Sequence, residues 1–219
     1  MVTAEIKIPT PGRPIEALTM CGEDKPKKAF LILPGKGYTI NHFLLDFLWR
    51  MAAEAGFYAI KAEYRGYTYR HLDEPYDHDH AIEDLGYVLD YLAEVGYKSQ
   101  NIIICGKSLG TVALAGAVAK RQESFAQAVL LTPVLYYKRE AGVFPMWDVY
   151  KQKVGSSYLI FGSDDPFCDL VTAKAAFPES QMDCYQGADH GLNLDGNYTR
   201  TIEINREIIE KVKSFITKI

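Results

Sequence analysis

Asn101-Ile102-Ile103-Ile104-Cys105-Gly106-Lys107-Ser108-Leu109-Gly110 is the stretch that decides the fold of this chain. Three isoleucines and a cysteine make a short continuous apolar run, the mark of a strand buried on both faces. It runs straight into Gly106, and residues 108–121 then read as a helix built from small residues. The junction, Gly106-Lys107-Ser108-Leu109-Gly110, fits G-x-S-x-G in the strand–turn–helix setting that motif needs. A serine on so tight a turn has strained backbone angles, and the flanking glycines let strand and helix approach closely. Its hydroxyl then stands above the sheet edge, with the Leu109 amide at a helix N-terminus where a developing oxyanion meets unpaired N–H groups. A phosphate-binding G-x-x-x-x-G-K-[ST] loop is the competing reading. It fails because Asn101 stands where that loop needs glycine, and 102–105 read as strand. A fortuitous small-residue turn is the other alternative, and the motif alone does not dispose of it.

Working outward, apolar runs alternate with amphipathic stretches. Residues 29–33 (Ala-Phe-Leu-Ile-Leu), closed by Pro34-Gly35, read as a buried strand. Ile40, Phe43, Leu44, Phe47, Leu48, Met51 and Ala55 follow at helical spacing until Gly56. Further strands are expected at 57–63, 126–131, 157–161 and 181–186, and further helices at 81–94 and 169–176. A C-terminal helix presents Ile204, Ile208, Val212, Phe215 and Ile216 to the core. Repeated β-α units with continuous apolar strands imply a mostly parallel sheet covered by helices on both faces. Residues 3–8 and 15–20 have no helix between them and are expected to form an antiparallel hairpin at one edge. No repeat or linker interrupts the pattern, so residues 1–219 are expected to form a single domain.

In open α/β sheets ligands bind beyond the C-terminal ends of the strands. Two further chemistry-bearing segments are expected there. The strand at 157–161 leads into Gly162-Ser163-Asp164-Asp165-Pro166, and the last strand into Gly187-Ala188-Asp189-His190-Gly191. A serine hydroxyl is a poor nucleophile and needs a histidine base held in one tautomer by a carboxylate. The chain order Ser, Asp, His, each after a strand, is that of α/β-hydrolases. On these residues the sequence resembles that superfamily over nearly its whole length, most closely its small capless bacterial esterase and dienelactone-hydrolase-like branch.

The resemblance implies an α/β-hydrolase fold of about eight strands, with Ser108 as nucleophile, His190 as base and Asp165 as acid. Asp164 stands as the alternative acid. It also implies an oxyanion hole formed by the Lys36 and Leu109 amides. The loop Pro34-Gly35-Lys36-Gly37-Tyr38 departs from the usual His-Gly-x-Gly by its proline, which removes a supporting side chain but not the amide. Residues 133–153 are too short for a lid domain of their own. They form either a short aromatic flap over the site or an ordinary connecting helix. Tyr38, Tyr136 and Trp147 are the expected pocket residues.

The whole chain agrees with such a protein. Its 219 residues carry a net charge of −4 with both signs mixed, which is not the field that recruits DNA or anionic lipid. The stretch 108–119 falls well short of the roughly 20 residues that span a bilayer. Residues 1–10 lack the basic start and apolar core of a secretory signal. A soluble, cytoplasmic protein is therefore expected, with no nucleic-acid or membrane partner. Cys21, Cys105, Cys168 and Cys184 show no paired spacing and read as free thiols. His71, His78 and His80 crowd among aspartates, but without a tetrahedral ligand spacing they weigh little as a metal site; Asp77 or Asp79 reads instead as a helix N-cap. His42 reads as a surface or capping residue. Lys107 reads as solvated or salt-bridged, with the hypothetical role of favouring anionic substrates. No cofactor motif is present. The function expected is cleavage of a small or accessible carboxylic ester through an acyl-enzyme. A thioesterase, an amidase or peptidase with the same triad, or a non-catalytic hydrolase-like binding protein are the alternatives.

Overall fold

A computed structural model of the protein describes residues 1–70 and 76–218. The strands β1 (Val2–Ile8), β2 (Ile15–Cys21), β3 (Ala29–Leu33), β4 (Tyr58–Ala62), β5 (Ile102–Lys107), β6 (Phe125–Leu131), β7 (Val154–Gly162) and β8 (Gln181–Tyr185) form one sheet. Its order is β1-β2-β4-β3-β5-β6-β7-β8. β1 and β2 are the expected antiparallel edge hairpin, β2 runs antiparallel to β4, and every pairing from β4 onward is parallel.

Seven helices accompany these strands among the described residues. They are α1 (Phe43–Glu54), α2 (Arg65–Thr68), α3 (His78–Glu94), α4 (Leu109–Lys120), α5 (Met146–Lys153), α6 (Leu170–Ala176) and α7 (Tyr198–Thr217). The period of two along each strand sorts side chains into two cores, one on each face of the sheet. Leu31 and Leu33 of β3 and Ile104 of β5 join Leu85 and Leu89 of α3, Leu114 and Val118 of α4 and Trp147 of α5. Phe30, Ile32, Ile103 and Cys105 face the other way, onto Leu44 and Leu48 of α1 and Ile204, Ile208 and Val212 of α7. Because both faces are covered, the central strands carry no polar alternation.

Helix α4 is buried on almost every side, which explains its lack of an amphipathic stripe. Its small residues admit α3 closely: a Cβ on Gly116 would meet Ile82 side-chain atoms at 2.3 Å.

Several boundaries differ from the sequence expectation. β7 starts at Val154 because Phe125 and Gln127 of β6 pair with Val154 and Ser156. α3 starts at His78, where the Asp77 carboxylate accepts from the His80 amide and the His80 ring closes a capping box. The short helix α2 had no periodic signal in the sequence.

Candidate active site

The site is assembled where β5, β7 and β8 end. At the tip of β5, Ser108 has φ 51° and ψ −111°, a left-handed conformation held by its surroundings. Its amide donates to the Leu131 carbonyl at 3.0 Å, and its carbonyl accepts from the Thr111 amide and hydroxyl at 2.8 and 2.6 Å. The flanking glycines are required by contact. A Cβ on Gly106 would sit 2.5 Å from the Gly110 carbonyl oxygen, and one on Gly110 would sit 2.7 Å from that of Leu33.

The loop after β8 brings His190 Nε2 to 2.8 Å from Ser108 Oγ. The loop after β7 brings Asp165 Oδ2 to 2.8 Å from His190 Nδ1. An ionised carboxylate only accepts, so Nδ1 carries the proton in a neutral ring and Nε2 is left to accept from the serine hydroxyl. The Asp165 side chain is fully buried, and its second oxygen accepts from the Phe167 amide at 2.9 Å. Its neighbour Asp164 is exposed and accepts from the Ser163 hydroxyl at 2.7 Å. The histidine loop is closed by Asp189, whose carboxylate accepts from the Gly191 and Asn193 amides, both at 2.8 Å.

The loop after β3 abuts the same serine. A Cβ on Gly35 would lie 3.1 Å from Ser108 Cβ and 3.2 Å from the Lys107 carbonyl oxygen. Among the described residues neither the Lys36 nor the Leu109 amide donates to a protein acceptor. Two side chains hold this loop. Tyr67 Oη accepts from the Gly37 amide, and the Glu63 carboxylate from the Ile40 amide, both at 3.0 Å. Burial pushes the Glu63 carboxyl up to about 7. Nothing in the sequence pattern had marked Glu63 or Tyr67.

The pocket expectations divide. Tyr38 lies beside the site, its ring 4.5 Å from that of His42, and burial raises its phenol. Tyr136 and Trp147 are both buried. The Tyr136 hydroxyl donates to Asp169 at 2.8 Å, and Trp147 is fully enclosed with its Nε1–H on the Val134 carbonyl. Between the two aromatic readings of 133–153, α5 is a packed connecting helix, whereas Tyr137 is half exposed beside the site. The Phe167 ring lies 4.8 Å from that of His190; Tyr137 packs edge-on to Phe167, and Phe144 to Tyr137. Phe167 carried no sequence signal.

Two further expectations are corrected, those for His42 and Lys107. His42 stands at the N-cap of α1 but makes no capping bond, and its Nδ1 is buried without a partner. Burial and the nearby Lys107 lower its pKa. Lys107 is neither solvated nor salt-bridged: it is fully buried and bonded to Thr132 and the His190 carbonyl. The four cysteines are free, and burial raises the Cys105 and Cys168 thiols. Of the histidine cluster, His71 lies outside the described residues, His78 stacks on Tyr137 and His80 belongs to the α3 cap. Among the described residues no group of three metal-ligating side chains converges, and no helix is long and apolar enough to cross a membrane.

No family model and no curated relative matches this sequence. Solved structures do. An Agrobacterium tumefaciens protein of unknown function, proposed to be an α/β hydrolase, is similar with a TM-score of 0.73 and 14% identity over 97% of this chain and 94% of that one. A proposed dienelactone hydrolase from Klebsiella pneumoniae gives 0.70 and 18% identity over 100% and 99%. The Pyrococcus furiosus esterase Pf2001 gives 0.70 and 14% over 97% and 92%. The chain has the α/β-hydrolase fold.

Proposed function

We propose that this protein is a serine hydrolase that cleaves small or accessible carboxylic esters. The observation that carries the reading is the hydrogen-bonded line Ser108–His190–Asp165, with both links at 2.8 Å and the carboxylate buried. In this reading Ser108 Oγ attacks the ester carbonyl while His190 Nε2 takes its proton. Asp165 holds the ring in the needed tautomer and stabilises its positive charge. The Lys36 and Leu109 amides donate to the oxyanion, and the dipole of α4 acts in the same sense. The alcohol leaves with the proton from His190, and water repeats the sequence to release the acid. The esterase of the same fold supports the ester class. The aromatic ledge of Phe167 and Tyr137 is an apolar wall on which an acyl or alcohol group would rest.

A fluorophosphonate probe tests the reading directly. Folded wild-type protein is expected to label on Ser108, and Ser108→Ala not at all. A p-nitrophenyl ester series then ranks acyl lengths, with thioester and anilide analogues run beside it. A folded protein that leaves Ser108 unlabelled is a binding protein on a hydrolase scaffold. Faster turnover of the thioester or anilide moves the assignment within the hydrolases.

A further inference from the structure

The residue before the nucleophile, Lys107, is a fully buried cation with no carboxylate within ion-pair distance among the described residues. Lysine is almost never enclosed in this way unless its charge is matched. Here the ammonium is held by three neutral groups. Nζ donates to Thr132 Oγ1 at 3.1 Å and to the His190 carbonyl at 3.2 Å, and it lies 5.2 Å from the centroid of the Tyr38 ring. Those three partners come from three different loops. Thr132 closes β6 with φ 43°, His190 lies on the loop after β8, and Tyr38 ends the glycine-rich loop that presents the Lys36 amide. An ammonium has three donors, so two hydrogen bonds and one cation–π contact use all of them.

We propose that Lys107 is a positioning residue of the serine-hydrolase site: its ammonium clamps the base loop and the oxyanion loop to the strand carrying Ser108, and it keeps a fixed positive charge beneath the reacting carbonyl. This rests on the function proposed above. The charge acts in low-dielectric surroundings, where it favours a developing oxyanion more than it would in water. The titratable groups facing it are Asp165, Asp189, Cys105, His42 and Tyr38. Burial lowers the Lys107 pKa to about 8, with Asp165 and Asp189 opposing that shift. When the proton leaves, the neutral amine can still donate to Thr132 and His190. Its lone pair then faces the electron-rich ring of Tyr38, so the third contact and the charge disappear together.

The test follows Ser108 labelling by the fluorophosphonate, together with kcat and KM on p-nitrophenyl acetate, between about pH 6 and 9.5. Wild type is expected to lose kcat as pH rises through about 8. Lys107→Met is expected to lower kcat at pH 7 by at least about tenfold, to move KM by less than about twofold and to show no alkaline fall. Lys107→Arg, whose charge does not titrate, is expected to recover part of the neutral-pH rate, again without the fall. A residue that merely filled space would leave the alkaline limb in place. An active wild type with a flat profile up to about pH 9.5 overturns the clamp, as does a folded Met variant with wild-type kcat. If the Met variant does not fold, the wild-type profile decides. A wild type that neither labels nor turns over sinks the serine-hydrolase reading itself, and the clamp falls with it.

Discussion

Two adjacent carboxylates in one loop have opposite surroundings, and in the proposed reaction that difference separates their roles. Asp165 is enclosed, with one oxygen on His190 and the other on the Phe167 amide, while Asp164 is turned outward to Ser163. Asp165→Asn is therefore expected to lower kcat by about 10³–10⁴-fold, because an amide no longer fixes the imidazole tautomer. Asp164→Asn is expected to stay within about threefold, since nothing it touches reacts; steady-state kinetics on p-nitrophenyl acetate distinguish the two. Motif spacing pointed to Asp165, but a turn decides which of two neighbours is inside, and that depends on how β7 and β8 close. Lys107 is the harder case. Its identity argued for solvent, and only the three loops meeting above it make burial tolerable.

The elements carry two more expectations. Helix α4 reaches β3 across Gly110, where a Cβ would meet backbone atoms of Leu33 and Pro34 at 2.7 and 3.0 Å. Backbone cannot swing aside as a side chain would, so Gly110→Ala is expected to cost about 1–3 kcal/mol in urea unfolding. Segment 133–153 mixes enclosed side chains, such as Trp147, with exposed ones, such as Tyr137. Trp147→Ala, which empties a fully enclosed site against Tyr150 and Phe177, is expected to cost about 3–5 kcal/mol. Tyr137→Ala is expected to change stability by less than about 0.5 kcal/mol while raising KM for aryl esters. Composition could not separate these roles. Tyr136 and Tyr137 are neighbours of the same type, and the chain's direction at that point buries one against Asp169 and leaves the other half exposed against Phe167.

Across the whole molecule, the cost of building the site is expected to show in its pH dependence. Glu63 holds the loop after β3 through the Ile40 amide, and burial carries its carboxyl from 4.5 to about 7. A raised folded-state pKa means the native protein binds the extra proton. That contribution is complete below about pH 4.5 and is lost as pH rises through about 7. The Tm of wild type relative to Glu63→Gln, which does not titrate, is expected to fall across that window; a constant difference would show that Glu63 is not coupled to folding. The sequence by itself determined the alternation of strands and helices, the edge hairpin, and the placing of Ser108, Asp165 and His190 after strands. Those follow from local periodicity and from turns that only certain residues can make. Tertiary structure alone decided which carboxylate meets the histidine, which aromatic rings face the site, and that Lys107, Glu63 and Tyr67 brace its loops. Such contacts join residues dozens of positions apart, and their free energy comes from enclosure by the packed sheet and helices, which no local pattern records.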